Sequence, residues 1–289
     1  MNTRPIKRKH RVWRVLFLLL VLAVAGAAFF RWEQTGLQPE EIVVSAPRLP
    51  ASFDGLRVSV VSDVHSAQFG MDSQTLLEAV AAQNPDLIAI TGDIVDRYHP
   101  DFDMIEPLAR GLAAIAPAYY VTGNHEWAFG SAVVKELKRT LTDCGVTVLS
   151  NEYLTLERDG QVLVLAGIDD PNGYADQKTL AELMDEVRGA LGDPFVLLLA
   201  HRNTDYPLYD QCGVDVTLCG HGHGGIIRLP FTDGLLSTDR TLFPDHTAGL
   251  YQLEGGQLVV SRGLGNSGPS FRLFNRPHLP VVVLQQGEG

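Results

Sequence analysis

Five short polar motifs, each directly behind an apolar run, constrain the fold of this chain more than any other feature. In order they are Asp63-Val64-His65, Gly92-Asp93-Ile94-Val95-Asp96-Arg97, Gly123-Asn124-His125-Glu126, Ala200-His201 and Gly220-His221-Gly222-His223, spread over about 160 residues. The preceding runs, such as Leu56–Ser62, Leu87–Thr91 and Phe195–Ala200, are short, continuous and rich in branched residues. That is the pattern of strands buried on both faces. Helical stretches alternate with them, which predicts an α/β fold of two mixed sheets packed face to face with helices outside. The polar motifs then fall at strand ends, where open α/β sheets build their sites.

The other elements follow from the same patterning. Helices are expected over Ser73–Ala82, with Ser73 as N-cap, over Asp103–Ala114 ahead of Pro117, over Ser131–Cys144 before Gly145, and over Asp176–Leu191. Further strands are expected at Tyr119–Thr122, Val146–Ser150, Tyr153–Glu157, Val162–Ile168 and Val214–Leu218, with a hairpin turn at Asp159-Gly160. The C-terminal part reads as mostly β, at Ile226–Leu229, Leu250–Leu253, Gln257–Ser261 and Pro280–Leu284, with a loop over Leu229–His246. Cys144, Cys212 and Cys219 are too few and too scattered for a disulfide framework or a thiolate zinc site, and read as small core residues.

Charge is divided along the chain. Residues 1–31 carry seven Lys or Arg and no acid, while the whole chain has a formal charge of −11. The remainder, with all 34 acids and 16 of the 23 bases, has a formal charge of −18. A body this acidic argues against nucleic acid as a partner, because binding phosphate backbones needs a basic surface. The basic head, residues 1–14, precedes an apolar segment over 15–30 that is bracketed by Trp13 and Trp32. With its flanks this segment reaches the lower limit for crossing a bilayer, roughly 17 residues. It reads as a signal anchor. The alternative is a signal peptide cleaved near Ala25-Gly26-Ala27, against which the apolar run continues through Phe29 and Phe30. Either way, the positive head stays in the cytoplasm and the domain is extracytoplasmic. Residues 31–52, with Pro39, Pro47 and Pro50, read as a connector, and the globular domain as 53–289.

The motifs carry metal chemistry. Asp63 and His65 stand two apart on a segment expected to be extended, so both side chains can reach one metal. Asp93 has two carboxylate oxygens and can bridge two ions. Asn124 offers a neutral carbonyl oxygen, and His201, His221 and His223 complete two sets. Mixed imidazole and carboxylate ligation suits manganese, iron or zinc more than calcium or magnesium. Two such ions about 3.5–4 Å apart can clamp a phosphoryl oxygen and make hydroxide at neutral pH. Taken singly, each motif has a plain structural explanation: a surface pair, a turn, a loop, or a buried histidine with its hydrogen bonds met. Together they take five of nine histidines, leaving out only His10, His99, His246 and His278.

These residues resemble the calcineurin-like metallophosphoesterases, whose pattern is D-x-H, G-D-x-x-D, G-N-H-[ED], H and G-H-x-H. The resemblance covers about Leu56 to Leu284, and every position is matched. It implies a four-layer α/β/β/α sandwich with a dinuclear metal site at the C-terminal ends of strands. Carried over, Asp63, His65 and His223 would hold the first metal, Asn124, His201 and His221 the second, with Asp93 bridging. The metals would be manganese first, with iron or zinc as alternatives. His125 would face the substrate and protonate or stabilise the leaving oxygen. Asp96 would orient a histidine, His125 above all, or is simply a turn carboxylate.

The membrane-associated bacterial branch of the family is the closer likeness. It shares the basic head, the apolar segment and an ending like Ser261-Arg262-Gly263-Leu264-Gly265-Asn266-Ser267-Gly268, followed by Arg272 and Arg276-Pro277. That ending sets its glycines and arginines, Arg262, Arg272 and Arg276, with Asn266, beside the site as phosphate contacts, or else as a tight loop between strands with solvated arginines. The implied activity is a phosphodiesterase using metal-bound hydroxide on a membrane or envelope substrate, such as a phospholipid headgroup or a nucleotide-linked lipid. A phosphomonoesterase with the same metals is the alternative, and a non-catalytic envelope-binding module a third. The partners implied are the membrane and a phosphoester, with no nucleic acid and no protein partner.

Overall fold

The computed structural model describes residues 6–229, 233–237, 241–267 and 271–287, with side chains described from residue 11 onward. The start of the basic head, two pieces of the loop expected after Leu229, and Gly268 lie outside the described residues. A long helix α1 (Ile6–Thr35) leads into strand β1 (Gln38–Ala46). There follow β2 (Arg57–Val61), α2 (Gln74–Ala82), β3 (Leu87–Thr91), α3 (Ile105–Ile115), β4 (Ala118–Val121), α4 (Asn124–Trp127), α5 (Ser131–Asp143) and β5 (Thr147–Val148). The second half holds β6 (Glu152–Arg158), β7 (Gln161–Gly167), α6 (Leu180–Leu191), β8 (Phe195–Arg202), α7 (Tyr206–Gln211), β9 (Val216–Gly220), β10 (Gly249–Gln252), β11 (Gln257–Val260) and β12 (His278–Gln286).

The strands make two six-stranded mixed sheets, ordered β1-β12-β2-β3-β4-β5 and β10-β11-β9-β8-β7-β6. The centre of each is parallel, β2 through β5 in the first and β11, β9, β8 and β7 in the second. The period of two along each strand builds the layers. Leu87 and Ala89 of β3 join Phe195, Leu197 and Leu199 of β8 in the core between the sheets. The alternate residues Ile88 and Ile90 pack under α2, α3 and α5, and Val196, Leu198 and Ala200 pack under α6 and α7. The result is the expected four-layer α/β/β/α sandwich, whose strands read as continuous apolar runs because both faces are covered.

Some boundaries differ from the sequence reading. Residues 31–52 are not a connector. Helix α1 runs on to Thr35, and β1 pairs in parallel with β12, Ile42 opposite Val282. Ile42, Val44 and Ala46 face the core between the sheets, so the folded domain starts ahead of Phe53. Pro39 is tolerated because β1 is an edge strand. Helix α6 begins at Leu180 rather than Asp176, because Thr179 and Glu182 form a capping box that fixes its first turn. Ser73 precedes α2 in left-handed backbone and makes no side-chain cap. Residues 226–229 form isolated bridges rather than a strand.

Candidate metal centre

All five motifs stand at one edge of the sandwich. Asp63 follows β2, Asp93 follows β3, Asn124 follows β4, His201 is the next-to-last residue of β8, and His221 follows β9. Side chains from both sheets therefore meet there. Asp63 and His65 converge, although not through extended backbone as the spacing suggested. Asp63, His65, Asp93, His221 and His223 all lie at positive φ, between 47° and 67°. Such backbone costs on the order of 1–3 kcal/mol per residue and clusters at functional sites. The motif glycines allow the strand ends to approach closely. A Cβ on Gly92 would stand 2.5 Å from the Gly123 nitrogen, and one on Gly123 would overlap the Asp93 carboxylate.

The donor atoms form two groups. In the first, His65 Nε2 is 3.0 Å from His223 Nε2 and 3.8 Å from Asp63 Oδ1, and His223 Nε2 is 3.6 Å from Asp63 Oδ1. In the second, His201 Nε2 is 3.1 Å from Asn124 Oδ1, 3.1 Å from His221 Nδ1 and 3.3 Å from Asp93 Oδ2. The same Asp93 oxygen is 3.7 Å from His65 Nε2, so it lies between the groups. Spacings near 3 Å are the edges expected of a coordination shell with bonds of about 2.1 Å. The tautomers fit as well. His201 Nδ1 donates to the Thr91 carbonyl at 2.8 Å, which leaves Nε2 facing the cluster.

Electrostatics point the same way. Burial holds His65 well below the usual imidazole range and takes His221 and His223 to about 3, so these rings are neutral and carry lone pairs. His201 goes up to about 10, because Asp93, with Asp63 and Asp170, outweighs its burial. The buried carboxylates thus call for positive charge at this point. Two divalent ions fit this donor set, one at each group.

His125 stands beside the first group. Its Nδ1 is 3.1 Å from Asp96 Oδ1 and 3.1 Å from the Arg97 amide, and its Nε2 is 3.3 Å from Ser267 Oγ. Asp96 is also 3.7 Å from His65 Nδ1, so it touches both rings. Arg262 and Asn266 are tied elsewhere. Arg262 points its guanidinium to Glu40 at 3.8 Å, and the Asn266 carbonyl accepts from Arg272 Nε at 2.6 Å. Arg272, read from the sequence as a phosphate contact, is fully buried and donates to the carbonyls of Gly265, Arg262 and Asn275. Arg276 lies over the Trp32 ring at 4.1 Å.

Several supporting residues escaped the sequence reading. Glu126 accepts backbone N–H groups from Asp93 at 3.0 Å and Gly123 at 2.8 Å, holding two motif loops together. Its place in the third motif was the only signal. Asp170 takes Arg202 in a two-point pair at 2.7 and 3.0 Å, and Asn275 donates to the His223 carbonyl at 2.7 Å. Neither lies in a motif, so nothing local marked them.

Comparison with known proteins decides the family. The model of the calcineurin-like phosphoesterases matches residues 56–225. The chain belongs to this family. It is accordingly a metal-dependent phosphoester hydrolase. It is similar to the uncharacterized metallophosphoesterase YkuE of Bacillus subtilis, 32% identical over 280 residues, covering 91% of each chain. It is also similar to a transmembrane protein with metallophosphoesterase domain from Danio rerio, 28% identical over 294 residues, covering 94% of this chain and 62% of that one. Among solved structures it is similar to the NAD nucleotidase of Haemophilus influenzae, with a TM-score of 0.48 and 16% identity, covering 71% of this chain and 44% of that one.

Proposed function

We propose that this metallophosphoesterase is a phosphodiesterase acting at a membrane or cell-envelope surface on a headgroup or a nucleotide-linked lipid. In this reading Asp63, His65 and His223 hold one divalent ion, Asn124, His201 and His221 the other, and Asp93 lies between them, with manganese the first choice of metal. When bound, the pair supplies Lewis acidity for the phosphoryl oxygen and water acidic enough to attack at neutral pH. The chain's own residues do the rest. Glu126 holds the Asp93 and Gly123 loops in register, and His125 donates a proton to the departing oxygen from Nε2. The Arg97 amide donates to Nδ1 and sets the plane of the ring, and Asp96 lies 3.1 Å from the same nitrogen. Asn266 gives its Oδ1 to Arg272, so its amide nitrogen is the candidate contact to substrate, and Arg262 supports the loop that carries it.

The observation that carries the diester reading is how the nearby cations are used. Arg202 is paired with Asp170, and Arg272 is spent on carbonyls and Asn266. Arg97, whose amide binds His125, gives its guanidinium to the Tyr98 hydroxyl rather than to a carboxylate; one such cation beside the site suits a singly charged diester better than a doubly charged monoester. The membrane reading rests on α1, of which Arg11–Thr35 is long and apolar enough to cross a bilayer, and on its basic head. The positive-inside rule keeps that head in the cytoplasm and the domain outside.

The test uses the full chain, loaded with manganese, on a model diester and a model monoester. The diester is expected to turn over faster. His125→Ala should lower kcat by about 10²–10⁴ with both metals retained. Asp93→Ala should lose metal, counted by elemental analysis, together with turnover. Faster monoester cleavage would replace the diesterase reading with a phosphatase one, and an unchanged rate in Asp93→Ala with metal bound would remove the bridging role.

A further inference from the structure

Four irregular segments lie edge to edge beside the metal centre. Ile227 bridges Leu273, Arg228 bridges Gly234, and Leu236 bridges Leu242. The Arg228 amide donates to Leu273 O at 3.1 Å, Leu235 N to Ile227 O at 2.8 Å, and Phe243 N to Leu235 O at 3.0 Å. These bonds join residues 271–274, 226–229, 234–236 and 241–243 into one apron. Its inner side supports the site. Asn275 holds the carbonyls of His223 and Ile226, and Arg272 holds the Gly265 turn.

The outer side is apolar. Phe243 is 71% exposed, Leu242 66%, Phe274 46% and Phe271 37%. Phe243 and Phe274 both sit at φ 52°, where bulky residues are rare. Their outward aim is therefore imposed by the apron against the local backbone preference, as happens where orientation serves a function.

One edge of the apron is fastened to the end of α1. Phe271 stacks on Phe30 at 5.9 Å between ring centroids, and Phe274 meets Phe29 at 6.1 Å. Below them the helix is locked by polar bonds. The Gln34 carboxamide both donates to Arg272 O at 2.6 Å and accepts from Arg272 N at 3.0 Å, and buried Glu33 accepts from Asn275 N at 3.2 Å. The helix thus cannot tilt freely against the domain, and the level at which it leaves the bilayer fixes the level of the apron.

We infer that this apron is a membrane-docking surface, whose occupant is the lipid leaflet from which α1 emerges. The inference rests on the reading of α1 as a membrane span, and it deepens the proposed function by holding the metal centre at the height of lipid headgroups. Phe271 and Phe274 continue the aromatic surface of Phe29 and Phe30 without a break, and Leu242 and Phe243 extend it across the bridges. Exposed Phe and Leu side chains on one face bury at the boundary between headgroups and acyl chains, and Trp32, packed on Phe29, is of the kind that settles in the headgroup layer. A cavity of about 310 Å³, lined by Arg202, Tyr206, His221, Ser237, Thr241 and Pro244 among others, opens between the metal centre and the 241–247 segment. It is therefore placed to receive a group presented from the leaflet.

The test is a depth measurement, independent of catalysis. Full-length Cys212→Ser protein, whose remaining Cys144 and Cys219 are buried, receives Phe243→Cys, Phe271→Cys or Leu191→Cys and a spin label. Each is reconstituted into phosphatidylcholine–phosphatidylglycerol vesicles. Leu191 is the control, the last residue of α6 just ahead of the start of β8, whose other end carries His201. Labels at 243 and 271 are expected to collide with oxygen in preference to an aqueous nickel chelate, and the label at 191 the reverse. Protein that floats with the vesicles after alkaline wash while all three labels report water overturns the docking surface and leaves the anchor standing. Protein that does not float overturns both. Neither result bears on whether the site hydrolyses diesters.

Discussion

At the scale of single residues, a buried histidine outside the motifs sets an acid limit on the fold. His278 is 1% exposed; its Nδ1 accepts from the Arg262 amide at 3.2 Å and its Nε2 faces Glu40 at 3.0 Å. Burial takes it down to about 4, against the pull of Glu40. Between about pH 6.5 and 4 the unfolded chain takes a proton that the folded one refuses, so stability falls as pH falls through that window. From pH 7 to 5 the loss is about 2 kcal/mol. Urea denaturation at the two pH values should show His278→Gln losing less than the parent; equal losses would show that His278 is not the group responsible. The converging donors were legible in the sequence because each motif stands behind a strand, and Asp93, Asn124, His221 and His223 stand beside glycines at points of close approach. The left-handed backbone that aims Asp63 and His65 was not, since spacing on an ideal strand already brings them to one side. Arg272 was misread for a similar reason: an arginine near a phosphate site suggests a phosphate contact, and only the fold shows carbonyls around it.

At the scale of elements, two features separate what local chemistry reveals from what it hides. The Thr179–Glu182 box is local, with Glu182 Oε2 accepting from Thr179 N at 2.8 Å. Thr179→Ala should cost about 1 kcal/mol in denaturant unfolding without altering turnover. Strand β1 is hidden because its prolines suggest a linker and its partner β12 lies more than 200 residues away; only the alternation Ile42, Val44, Ala46 signals it. A protein beginning at Phe53 would expose the edge of β12 and uncover the core beneath β1. It is expected to melt at a lower temperature than one beginning at Gly36, which lacks α1 equally but keeps β1. Equal behaviour would mean that β1 adds nothing to the folded domain.

At the scale of the whole molecule, the two sheets contribute unequally to the donor set, Asp63, His65, Asp93 and Asn124 from the first and His201, His221 and His223 from the second. The group Asp63, His65 and His223 and the group Asp93, Asn124, His201 and His221 each draw on both sheets. Whatever cations occupy them work as rivets through the seam of the sandwich, so occupancy and folding are thermodynamically linked. An ion present at 100 times its dissociation constant adds about 2.7 kcal/mol. Chelation should therefore lower the melting temperature, and each added metal should restore it according to its affinity. The melting curve of this protein then becomes a gauge of loading, able to rank manganese, iron and zinc before any substrate has been found.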